Sequence, residues 1–117
     1  MTAPIVPFGA NFSKTQSISV TSTTASCTLD ATDVSSTPTP VSAGPSGGKA
    51  VMRLVNVGPN TCFVRWGVGA QTAVATDLPI LAGVPELFSK SEDTNIVAAI
   101  CASGQTATLY VTCGEGI

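Results

Sequence analysis

The feature that most constrains this chain is a hydrophobic period of two, repeated in short runs separated by turn residues. Alternation at that spacing places successive side chains on opposite faces of an extended strand. Residues 16–21 set Ile18 and Val20 against Ser17, Ser19 and Thr21. After a short Ser-Thr turn, Ala25, Cys27 and Leu29 continue the pattern against Ser26 and Thr28. Residues 51–57, 62–66, 78–81, 86–89, 96–101 and 107–113 read as further strands. Pro79 cannot donate a ladder hydrogen bond, so the 78–81 segment is expected at a sheet edge. Gly58-Pro59-Asn60 and Ser103-Gly104-Gln105 supply turn chemistry between successive strands. No segment has the period or the caps of a helix; 67–76 is rich in Ala, Thr, Val and Gly and lacks both. About eight short strands with regular turn signals predict an all-β fold, a small antiparallel β-sandwich of jelly-roll type.

A length of 117 residues holds one core. Two segments fall outside the strand pattern. Residues 1–15 carry Pro4, Pro7 and Gly9 among isolated apolar residues, Ile5, Val6, Phe8 and Phe12, and read as an extended N-terminal arm. Residues 16–117 then form the sandwich domain, interrupted at 30–49 by a long Ser/Thr/Pro/Gly loop. A loop of that length is uncommon inside a compact domain and is expected to lie against something else.

Several strands are apolar on both faces, whereas a strand covered on one side alternates cleanly. In 96–101, Ile96, Ala98 and Ile100 lie opposite Val97, Ala99 and Cys101. In 51–57, Val51, Val55 and Val57 share a face with Arg53; in 62–66, Phe63 lies with Arg65. One face packs in the core, and the other needs cover from the arm, the loop or a partner subunit. Charged residues make up 10% of the chain, against roughly 25% in an average soluble domain. So sparse a charge suits a protein packed against neighbours. If 58–60 is a three-residue hairpin turn, Arg53 faces Arg65 across two strands, an unfavourable pair that Asp77 or Glu86 would relieve. A shorter or longer turn removes the clash.

The same composition argues against several functions. Without histidine there is no Ser-His-Asp or Cys-His arrangement. The acidic residues are scattered, and Glu92-Asp93 with Asn95 lacks EF-hand spacing for calcium. Cys27, Cys62, Cys101 and Cys113 form no CxxC pair, so zinc would need four strands to converge. Their even number permits two disulfides; synthesis in a cytoplasm argues against them, and core thiols are the simplest reading. No enzyme activity, metal or cofactor is therefore expected. The five basic residues do not cluster, so no nucleic-acid face is expected. There is no apolar run long enough for a membrane span and no signal-peptide pattern at the N-terminus. Trp66, Tyr110 and the phenylalanines can stack on sugars if exposed, although Trp66 lies on the Cys62/Val64 face and reads as core.

The ordered series Asn56-Val57-Gly58-Pro59-Asn60-Thr61-Cys62-Phe63-Val64-Arg65-Trp66-Gly67, then Pro79-Ile80-Leu81-Ala82-Gly83 with Glu86 and Phe88, resembles small virion proteins of tailed bacteriophages. Ala99-Ile100, Ala102-Ser103-Gly104, the 107–112 segment and Gly114-Glu115-Gly116 are similar to the C-terminal hairpin of those proteins. The likeness covers 51–116 and, more weakly, 8–29; the 30–49 loop has no counterpart. It implies a capsid decoration (cement) protein, a dimer or trimer on the capsid exterior that clamps adjacent capsomers of the major capsid protein. Arm and loop would be the clamps, with Ile5, Val6, Phe8, Phe12, Arg53, Phe63 and Arg65 as contacts. A carbohydrate- or receptor-binding module of a phage fibre or head–tail part is the alternative.

Overall fold

The computed structural model describes residues 9–10, 13–29, 49–90 and 94–116. They form nine strands and no helix: β1 (Gly9–Ala10), β2 (Gln16–Val20), β3 (Ala25–Thr28), β4 (Lys49–Pro59), β5 (Cys62–Gly67), β6 (Leu78–Ile80), β7 (Glu86–Ser89), β8 (Ile96–Cys101) and β9 (Ala107–Gly116). All pairings are antiparallel. In the first sheet β9 is flanked on one side by β4, with β7 beyond it. Its other side carries β2 along its first half and β1 near its end, so β1 and β2 are successive parts of one edge. The second sheet runs β3-β8-β5-β6. The order β2-β9-β4-β7 facing β3-β8-β5-β6 is that of a jelly roll, two Greek keys wound into one sandwich.

The core follows from the period of two. Ile18, Val20, Met52, Leu54, Leu109, Val111 and Cys113 point inward from the first sheet. Cys62, Val64, Ile80, Val97, Ala99 and Cys101 meet them from the second. In β8 the predicted double-faced pattern resolves into Val97, Ala99 and Cys101 inside and Ile96, Ala98 and Ile100 outside, with Ala98 fully buried even there. As Pro79 implied, β6 is an edge strand.

The expected strand partners require correction. The 51–57 and 62–66 segments are not hairpin partners, because β4 and β5 belong to different sheets. Neither are β8 and β9, read as a C-terminal hairpin. Among the consecutive strands only β5 and β6 are hydrogen-bonded to each other. The other connections between β2 and β9 cross from one sheet to the other. In addition, part of the expected arm is in the sheet: Gly9 and Ala10 pair with Glu115 and Gly114, and the Thr15 hydroxyl lies 2.8 Å from that of Thr112. Lys49, placed in the loop, begins β4.

The β4–β5 crossing depends on a few polar atoms. Asn56 is completely buried on the inward face of β4. Its Nδ2 donates to the Asn60 carbonyl at 2.8 Å and the Ile80 carbonyl at 2.9 Å, and its Oδ1 accepts the Gly58 N–H at 2.8 Å. Gly58 has φ +91, a left-handed conformation that strains any residue with a Cβ, and is joined to Pro59 by a cis peptide. Asn60 closes the corner: its N–H donates to the Thr106 carbonyl at 3.1 Å, and its Oδ1 accepts the Thr106 N–H at 3.2 Å. The left-handed residue of this corner is thus Gly58.

Candidate interaction surfaces

The crossing of β4 to the opposite sheet decides where the predicted contact residues go. Arg53 is exposed on the outer face of the first sheet, between Thr112 of β9 and Leu87 of β7. Phe63 and Arg65 lie on the outer face of the second sheet, opposite Ile100 and Ala98 of β8. The expected Arg53/Phe63/Arg65 surface is therefore two surfaces on opposite sides of the sandwich. The anticipated Arg53–Arg65 clash is absent for the same reason. Ile5, Val6, Phe8 and Phe12 lie outside the described residues, as does most of the 30–49 segment.

The first outer face carries three of the exposed large apolar side chains. Val55 pairs in register with Tyr110, and Tyr110 with Ser17. Tyr110, Leu87 and Val57 are exposed by 41%, 55% and 58%, well above what a covered sheet face permits. Arg53, Pro85, Glu86 and Leu87 line an open depression of about 370 Å³ at the β4–β7 edge. It is too open to enclose a small molecule and has the form of a shallow groove beside the apolar strip. Leu87 was not among the predicted contacts. Its signal was the alternation Glu86-Leu87-Phe88-Ser89, in which Phe88 takes the inner face and leaves Leu87 outside.

The second outer face is tied down by charge. The Arg65 guanidinium donates from Nε to Asp77 Oδ2 at 2.9 Å and from Nη2 to Oδ1 at 3.0 Å, a bidentate pair. Asp77 Oδ2 also accepts the Val74 N–H at 2.8 Å, which pins the β5–β6 connection. Arg65 and that backbone N–H hold the Asp77 carboxyl below its ordinary range. Of the two acidic candidates for relieving the arginines, the structure selects Asp77. Phe63 is half-buried between Ile100 and Pro79.

Among the described residues, no three His, Cys, Asp or Glu side chains converge as a metal site would require. Glu92 and Asp93 lie outside the described residues; Asn95 Oδ1 accepts the Gly69 N–H at 2.9 Å. The four cysteines are thiols in this structure. Burial pushes Cys27 up to about 11, and burial together with the neighbouring Cys101 pushes Cys62 up to about 11. Thiols so protonated near neutral pH are poor nucleophiles. Trp66 is half-buried, its ring 5.3 Å from that of Phe88 and tilted by 49°, at the margin of the core. Tyr110 is the more exposed ring. Neither a protein-family model nor a curated protein matches this chain at a significant level.

Proposed function

We propose that this chain is a non-enzymatic virion structural protein, a capsid decoration or cement protein that binds the outer capsid surface and bridges capsomers. The observation that carries the reading is the outer face of the first sheet. Val57, Leu87 and Tyr110 are exposed there on the face that carries Arg53, in a chain with only 10% charged residues. Apolar surface rimmed by polar residues marks contact with another protein. The resemblance of 51–116 to small phage virion proteins supplies the kind of partner, the major capsid protein. The copies would act as dimers or trimers on the capsid exterior after synthesis in the host cytoplasm. The motif residues Asn56, Gly58 and Asn60 support this reading only through the fold, since all three build the β4–β5 corner.

The rival reading, a sugar- or receptor-binding module, needs exposed ring faces side by side. Trp66 lies against Phe88, which leaves Tyr110 as the single exposed ring among the described residues. The deciding experiment is quantitative mass spectrometry of purified particles with labelled imaging of the chain. A copy number proportional to capsomers, spread over the shell, is expected. A few copies at one vertex or on a fibre would overturn the decoration reading.

A further inference from the structure

Cys62 and Cys101 are register partners on the two inner strands of the second sheet. Both are buried and both face the core. The hydrogen bonds settle which kind of pair they form. The Cys101 N–H donates to the Thr21 carbonyl at 2.8 Å, on the β3 side of β8. A strand residue directs its N–H and C=O to the same side, so Cys101 turns its backbone away from β5. Cys62 and Cys101 are therefore a non-hydrogen-bonded antiparallel pair. In such pairs the Cα atoms are about 4.5 Å apart and the side chains lean together. That separation falls at the near end of the roughly 4.4–6.8 Å window in which a disulfide closes without backbone movement. The proximity also shows in the effect of Cys101 on the ionisation of Cys62. The other two cysteines lack this arrangement: Cys27 lies opposite Val97, and Cys113 is in the first sheet opposite Met52.

We propose that Cys62 and Cys101 are a modification site, a dithiol that closes to a cross-strand disulfide when the protein meets a small disulfide oxidant such as oxidised glutathione. Burial keeps both thiols largely protonated near neutral pH, so closure is slow and speeds up as pH rises. In the first step one cysteine thiolate attacks a glutathione sulfur and expels the first glutathione thiolate. The second cysteine thiolate then attacks the protein sulfur of that mixed disulfide and expels the other. Two electrons pass to the oxidant, and the two cysteine protons end on the two released glutathiones. The thiol form is the one a reducing cytoplasm maintains, and the disulfide form belongs to an oxidising exterior. Cys62 opens β5 and Cys101 closes β8, so both sit at strand ends, where local opening admits the reagent most readily. Once closed, the bond ties the central strand pair of the second sheet across the chain that forms β6 and β7. This inference is independent of the proposed function.

The test treats the folded protein with oxidised glutathione, blocks remaining thiols with a maleimide, and maps non-reduced peptides by mass spectrometry. The expected product is a peptide joining Cys62 to Cys101, lighter by two hydrogens, with Cys27 and Cys113 alkylated. Its Tm should exceed that of the reduced form by roughly 10 °C, as loop closure of this length implies. Cys27→Ser should still form the link and Cys62→Ser should not. Because Cys62→Ser can fail to fold, the peptide map of the wild type decides alone. Four alkylated thiols after prolonged exposure would overturn the proposal. So would linkage through Cys27 or Cys113, or linkage appearing only in urea.

Discussion

Asn56 occupies a position that its strand would otherwise give to a hydrocarbon, following Met52 and Leu54 on the same inward face. Two of its three hydrogen bonds are buried and the one to the Asn60 carbonyl is partly so; truncation would strand the Ile80 carbonyl and the Gly58 N–H and weaken the hold on the Asn60 carbonyl. Each unsatisfied buried group costs about 1–3 kcal/mol. Asn56→Ala is therefore expected to destabilise the fold by about 3 kcal/mol or more, read from the urea midpoint with the slope unchanged. Asp77 offers a second test at the same scale, this time in pH. Its folded carboxyl titrates below its ordinary value of 3.8, first through Arg65 and then through the Val74 N–H. The ionised form is thus favoured by folding. Its contribution is complete above the unfolded pKa and is lost as pH falls through the folded one. Stability should drop below about pH 4 in the wild type, and Asp77→Asn should lose that component of the drop while being less stable at pH 7. Equal acid profiles for the two proteins would show that the pair has no thermodynamic weight.

At the scale of elements, the strands were legible and their partners were not. Alternation in residues such as Ile18/Val20 and Met52/Leu54 states which face a residue takes, and those faces are the ones observed. Pro79 also announced an edge, because a missing N–H cannot serve an inner strand. Nothing in a period of two names the neighbouring strand. Gly58-Pro59-Asn60 carries the residues of a tight turn, and the same residues can send the chain over to the opposite sheet. The discriminating signal was Asn56, a polar residue on an apolar face, whose partners mark the crossing. The split of Arg53 from Phe63 and Arg65 follows from that crossing and from no property of the three residues themselves. β9 shows what the arrangement asks of one strand. It pairs with β1 and β2 on one side and β4 on the other, and Leu109 at its inner face is fully buried. Leu109→Ala should cost about 2–5 kcal/mol, whereas Ser19→Ala, exposed on the adjoining β2, should stay within about 0.5 kcal/mol. Equilibrium urea unfolding of both variants separates a spine strand from its edge.

For the whole molecule, what matters is how little repulsion keeps copies or partners apart. A net charge of −2 over 117 residues leaves the sandwich with weak long-range fields. Short-range contact then decides association, and the most exposed large apolar side chains of the first sheet are Val57 and Leu87, on the face that carries Arg53. Adding charge there changes the surface without touching the core. Val57→Lys with Leu87→Glu keeps the net charge constant, so any effect is due to lost apolar contact and not to a changed total field. Both positions are more than half exposed, and substitutions at such sites usually move stability by no more than about 0.5 kcal/mol each. The Tm is accordingly expected to shift by only a few degrees. On the proposed decoration role, sedimentation velocity across a concentration series should show reduced self-association, and binding to shells stripped of this protein should weaken by at least about tenfold, the equivalent of 1.4 kcal/mol. A Phe63→Lys variant on the opposite face supplies the contrast. If it weakens shell binding and the double variant does not, the second sheet is the docking side and the assignment of the first is wrong. If neither changes binding, the sandwich faces are not the contact, and the decoration reading would have to rest on the remaining segments of the chain.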